Sequence, residues 1–422
     1  MMRSAPTGTS TVGHCVFSPT HCRHSSLLGT SRRARHMRGP QGASSVESVA
    51  TAFLCRQYRR PMHQVVGVHP PCHGPCPFSL GVRRLQTIRV VLTMDCEPTT
   101  ATSHPKATGP ADWRAGEAAV RGYAKIAAEY DLPVTLFVHP EAAVAQSALF
   151  RELENKGACL GLHMHPWKYS LWRHQGRKYL AHYGGLSAIE QQEILEESSA
   201  LWAEAIGHRP YYFRPGTFSA NDAIFQVLAA QGFRGGSCSA PGRQIPEMQA
   251  IWTSGQPDPH RTSAVFRQTQ GPLEFANMPL SADLSRPLAG PAGRGMFADF
   301  RPDVDWPGQY DVSYRTIASN IVKQVGERAP AVPVLNSITH NHYAYCDTAD
   351  PVYRRLRVML DEMMSACHQA GLRVTPATLK DVVDEVLARP AVQQPFVCEG
   401  AIFDRSAGRA TIEAAARECR KV

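Results

Sequence analysis

The chain has 422 residues, 43% of them hydrophobic and 19% charged, with a formal net charge of +9. That length suits one large α/β domain or two ordinary ones, and no apolar run approaches the roughly 18 residues that cross a bilayer, so no transmembrane segment is expected. The basic balance points toward a nucleic-acid partner only until its distribution is read: residues 1–86 hold eleven arginines and one acid, Glu47, and carry +10, leaving −1 for the rest. No nucleic-acid binding is expected.

Residues 1–85 are rich in Ser, Gly, Pro, His and Arg and show no period of 2 or 3.6. Such a composition cannot bury enough apolar surface to offset its ordering entropy. The segment reads as a disordered extension, an Arg-rich transit peptide, or residues upstream of the true translation start. Five of the twelve cysteines lie in it, and Cys72-His73-Gly74-Pro75-Cys76 looks like half a zinc knuckle without a second ligand pair. The remaining cysteines are scattered singly, which fits reduced thiols and a cytoplasmic location.

Residues 86–390 alternate strands and helices. The first strand, Val90-Val91-Leu92-Thr93-Met94, ends in Asp95-Cys96-Glu97-Pro98, so two carboxylates one residue apart share one face of an extended chain. A helix follows over 115–130, then strands over 133–138 and 158–162. Ser187 and Glu190 form a capping box for a helix reaching about Ala205. A strand over 211–213 precedes a helix capped by Ser219 and Asp222 and closed by Gly232. An irregular stretch runs from about 240 to 312. The strand 332–338 follows, then a helix with Pro351 at its first position, a strand over 372–375 and a helix over 378–387. Residues 391–422 read as a partly helical tail. Repeated βα units imply a parallel sheet, open or closed, and at this length a β/α barrel of seven or eight strands is the reading.

Four clusters fall at strand C-terminal ends, where α/β folds place their chemistry: Asp95 with Glu97; His163-Met164-His165-Pro166-Trp167; Phe213-Arg214-Pro215-Gly216; and His340-Asn341-His342. Carboxylate plus imidazole is a first-row metal donor set, most often zinc. Taken singly, each cluster also fits a turn, a helix cap, a polar edge or a loop.

In that order the clusters resemble the polysaccharide deacetylases with NodB homology, carbohydrate esterases of the family 4 type. The resemblance covers about residues 86–385 and implies a distorted β/α barrel that hydrolyses N-acetyl groups with a divalent metal. Thr93-Met94-Asp95-Cys96-Glu97 is similar to the first motif, which would make Asp95 the base and Glu97 a metal ligand. Gly161-Leu162-His163-Met164-His165-Pro166 is similar to the second and would supply the ligands His163 and His165. The usual spacing is His-x-x-x-His, and position 167 is Trp, so His174 and His182 are substitutes for His165. Phe213-Arg214-Pro215-Gly216 resembles the third motif, with Arg214 orienting Asp95 and lowering its pKa. His340, or in second place His342, would be the acid. The metal is expected to be Zn2+, with Ni2+ or Co2+ as alternatives.

The expected partner is an N-acylated sugar or polysaccharide precursor. Trp167, Pro215 and Gly216 would bind it, and Trp252 would stack on a sugar ring from the polar loop 252–261, which also reads as ordinary surface. An allantoinase-like or deformylase hydrolase is the alternative enzyme, and a catalytically inactive carbohydrate-binding barrel the alternative to an enzyme.

Overall fold

The computed structural model describes residues 85–101, 108–170, 181–290 and 295–392, all within the unit Leu80–Val422. The N-terminal extension with Cys72 and Cys76, the candidate His174 and nearly all of the C-terminal tail lie outside the described residues.

Strand β1 (Thr87–Cys96) is the hub of the main sheet. It runs parallel to β2 (Val134–Val138) and, on its other side, to β12 (Val334–Asn336) and β13 (Thr339–His340), while β14 (Arg373–Pro376) pairs with its first half. Beyond β2 come β3 (Cys159–Met164), β4 (Tyr212–Pro215) and β5 (Gly235–Gly236), all parallel, then β9 (Ala276–Asn277) and the antiparallel β8 (His260–Arg261). The path β12-β1-β2-β3-β4-β5-β9-β8 curls around a central core. Its seam is sealed by irregular backbone rather than by a strand. Ser281 N donates to Asn336 O (3.2 Å), and the Asn336 side-chain amide donates to Pro279 O (2.9 Å).

Two apolar clusters explain why the strands read as continuous hydrophobic runs. Ile88, Val90, Leu92 and Met94 of β1 belong to the larger one, which the helices cover from outside. Val91, on the opposite face, joins Phe137, Tyr212, Met278 and Val334 in the smaller one, inside the barrel. The last helix, α9 (Leu379–Ala388), closes the bottom of that interior with Val382, Val383 and Val386. It approaches so closely that a Cβ at Gly235 would lie 2.4 Å from Val383. Period two therefore carries β1 from Val91 in the core through Thr93 to Asp95 at the open end.

The outer helices are α1 (Trp113–Ala128), α2 (Pro140–Ala145), α3 (Ser147–Asn155), α4 (Ala188–Ile206), α5 (Ile224–Ala230), α6 (Trp306–Tyr310), α7 (Tyr314–Arg328) and α8 (Pro351–Gln369). The Ser187–Glu190 capping box is present at α4, and Pro351 is the first residue of α8 behind an Asp350 cap. Two expectations fail. Ser219 and Asp222 do not cap α5, whose N-cap Ala223 makes no side-chain bond; Asp222 instead pairs with Arg267 (2.7 Å). The stretch 240–312 is not irregular throughout. It builds a second, antiparallel sheet from β6 (Gln244–Ile245), β7 (Ala250–Ile251), β10 (Ala282–Ala289) and β11 (Gly295–Asp299), together with α6. Two-residue strands have no readable period, so pairing with distant residues alone creates them. Among the described residues no helix is long and apolar enough to cross a membrane.

Candidate active site

Sheet register brings the expected residues together. Asp95 lies abreast of His340 on one side and Phe137 on the other, and His163 lies abreast of Arg214. Glu97, one residue past β1, is fixed through its backbone by Asn341: its N–H donates to Asn341 Oδ1 (2.9 Å), and its carbonyl accepts from Asn341 Nδ2 (3.2 Å).

Glu97, His163 and His165 are all buried, and their ligand atoms lie within 4.8 Å of one another. Glu97 Oε1 is 3.4 Å from His163 Nε2, 3.0 Å from His165 Nε2 and 2.9 Å from Lys168 Nζ. His163 Nδ1 sits 3.0 Å from Arg214 O, an acceptor only, so that nitrogen carries a proton and the ring's Nε2 faces Glu97. Burial pushes the His165 pKa down to about 3. For Glu97 burial acts upward, yet His165, Lys168 and His163 outweigh it and hold the carboxyl well below its ordinary range.

The donor chemistry fits a divalent cation. Two imidazole Nε2 atoms converge on a carboxylate whose second oxygen, Oε2, is buried without a hydrogen-bond partner. Spacings of 3.0–3.4 Å match the roughly 3.4 Å between ligands about 2.1 Å from a tetrahedral zinc. Gly216 makes this possible, because a Cβ there would lie 2.2 Å from the His165 ring.

Asp95 occupies the neighbouring position. Its Oδ1 accepts from Arg214 NH1 (2.8 Å), and its Oδ2 is 3.7 Å from His163 Nε2 and 4.0 Å from His340 Nε2. Arg214 is fully buried, donates through Nε to Ser237 O (3.2 Å), and stacks its guanidinium 4.1 Å from the Phe137 ring centre. Burial raises the Asp95 pKa, but the charges of His163, Arg214 and His340 outweigh it, and the net direction is down. His340 Nδ1 bonds Asp303 Oδ2 at 2.5 Å. Burial works against the His340 cation; Asp303 and Asp95 outweigh burial, and the net pKa is raised.

These groups open into a cleft of about 570 Å³ lined by Asp95, Glu97, His165, Trp167, Lys168 and His340, among others. Not every expected residue reaches it. Trp252 is fully buried and cannot stack on a sugar; its indole N–H donates to Phe218 O (2.8 Å). Pro215 and Gly216 are buried and do not line the cleft, which leaves Trp167 as the expected binding residue that does. His342 stacks 5.1 Å behind His340 and does not line the cleft. His182 lines it but stands outside the ligand cluster, 6.3 Å from the Trp167 ring centre.

Three residues beyond the expected set belong to the site. Lys168 had a readable signal, since a turn after the strand returns position 168 toward the histidines, with Lys168 N bonding His165 O (3.0 Å). Asp303 and Arg243 had none, coming from segments joined to the site only by the fold.

Residues 88–236 match the family model described as polysaccharide deacetylase. Among solved structures, a candidate polysaccharide deacetylase from Mycobacterium smegmatis is 15% identical, with 73% of this chain and 94% of that one covered and a TM-score of 0.46. The PuuE allantoinase is 12% identical, with 75% and 95% covered and a TM-score of 0.45. A family 4 acetyl xylan esterase from Clostridium thermocellum, in complex with cobalt, is 13% identical, with 73% and 100% covered and a TM-score of 0.34. No curated protein matches. The span that matches the polysaccharide deacetylase model, residues 88–236, is the one that carries Asp95, Glu97, His163, His165 and Arg214.

Proposed function

We propose that this protein is a metal-dependent hydrolase that removes an N-acetyl group from an amino sugar or polysaccharide precursor. The observation that carries the reading is Asp95 and His340 facing one another in a single cleft, 4.0 Å apart, beside the Glu97–His163–His165 donor set. Glu97, His163 and His165 would hold the ion. A divalent metal bound there supplies Lewis acidity, which makes water more acidic and polarises an acyl oxygen.

Asp95 takes the proton from the attacking water, and Arg214 keeps its carboxylate ionised and aimed. Asp303 holds a proton on His340 Nδ1, so in the imidazolium form Nε2–H points into the cleft and protonates the departing amine. A complete base, acid and ligand set favours an enzyme over an inactive barrel. Free thiols at Cys96, Cys159, Cys238, Cys346 and Cys367 support placing the activity in the cytoplasm.

The test is acetate release from a panel of N-acetylated sugars, run with metal analysis. We expect about one equivalent of divalent metal in the purified protein, activity lost on chelation, and activity restored by Zn2+, Co2+ or Ni2+. His163→Ala should retain the wild-type circular dichroism and lose both metal and activity. Full turnover in the chelated protein would overturn the reading.

The pH profile checks the acid. Because the folded pKa of His340 is raised above 6.5, the protonated acid is present below that raised value and is lost as pH rises through it. Asp303→Asn removes the main charge holding it up. The alkaline limb of kcat/KM should then move down by about one unit or more, and an unmoved limb would exclude His340 as the acid.

A further inference from the structure

Arg243 is the cleft-lining cation that forms no ion pair among the described residues, whereas Lys168 is paired with Glu97 and Arg301 with Asp299 (2.9 Å). Its guanidinium donates to Thr217 O (3.2 Å) and lies 4.9 Å from the Phe218 ring centre. Thr217 and Phe218 both sit at positive φ, 58° and 57°, a conformation such side chains adopt only where the surroundings enforce it. Here the Trp252 indole pins the turn through Phe218 O. A strained, anchored turn thus presents one guanidinium to the cleft.

That guanidinium forms no ion pair among the described residues, because the nearby Asp299 carboxylate is held by Arg301. Burial and, after it, the nearby positive charge of Arg301 push the Arg243 pKa down to about 9. An anion in the cleft would relieve both effects. A planar guanidinium is suited to bind carboxylate or phosphate oxygens.

We propose that the cleft takes an N-acylated amino sugar carrying an anionic group, a carboxylate or a phosphate, which Arg243 binds with Arg301 beside it. This deepens the hydrolase reading and rests on it for turnover, but not for binding.

The experiment compares kcat/KM of the metal-loaded protein for N-acetylhexosamine, N-acetylhexosaminuronate and N-acetylhexosamine 1-phosphate. One acidic substrate should exceed the neutral one by about tenfold or more, and which of the two does so identifies the anion. Arg243→Gln should bring that ratio to near one, mainly through KM, and Arg243→Lys should keep part of it. A wild-type ratio near one for both acidic sugars, or an equal loss on acidic and neutral substrates in Arg243→Gln, overturns the proposal.

Calorimetric titration with the same three sugars separates the two readings. If none is hydrolysed, yet an acidic sugar binds wild type at least about tenfold more tightly than Arg243→Gln, the hydrolase reading falls and the anion site stands. Equal binding to both proteins overturns the anion site.

Discussion

Asp95→Asn is expected to lower kcat/KM for acetate release by about 10²- to 10⁴-fold, the usual contribution of a positioned general base. The amide is nearly isosteric and can still accept from Arg214 NH1, which stands 2.8 Å from Asp95 Oδ1, so the fold and the metal content should persist. It cannot take a proton from water. It also leaves the buried guanidinium opposite a neutral group, at a stability cost of about 1–3 kcal/mol. Steady-state kinetics with a urea titration on the same preparation separates the two effects. Activity within about tenfold of wild type would remove Asp95 from the base role.

Arg214→Met should have the largest effect on stability, about 3–5 kcal/mol, because it strands a buried carboxylate. Arg214 is fully buried, and its contacts join β4 to β1, to Ser237 and to the Phe137 ring. The pH dependence has a definite sign. The folded pKa of Asp95 lies below its ordinary 3.8, so the pair's contribution is present above that value and disappears as pH falls through the lower folded one. In Arg214→Met, burial meets less opposition, Asp95 binds its proton at higher pH, and the acid limb of kcat/KM should move upward. Urea midpoints measured across the acid range read the stability part. The double variant Asp95→Asn/Arg214→Met should cost less than the two single losses added, since both remove the same interaction. Strict additivity would mean that the pair does not act as a unit.

The strand ends were legible because their information is local. A β-branched run closing in Asp95 and Glu97 fixes the strand, and period two fixes which face both carboxylates occupy, before any neighbour is known. The Ser187–Glu190 box and Pro351 are local in the same sense and appear as expected. His163 and Arg214 stand abreast because adjacent parallel strands end at one level, a consequence that the βα alternation carries.

Tertiary structure alone decided the rest. His165 was set apart from His182 by a turn and by the space that Gly216 leaves for its ring. His340 was set apart from His342 by pairing with Asp303, 37 residues away. Trp252 looked like a sugar platform in a polar loop, yet it is a buried anchor between Phe218 O, the Phe225 ring and Arg267, and the strands beside it, β6 and β7, are too short to leave a pattern. Arg243 owes its unpaired charge to Arg301, which takes the nearby Asp299 carboxylate, an arrangement that no spacing in the chain encodes. The sequence by itself determined which chemistry stands at the strand ends, because that depends on alternation along one strand. Which loops converge over those ends, and hence which charge faces the substrate, depends on contacts between residues far apart in the chain.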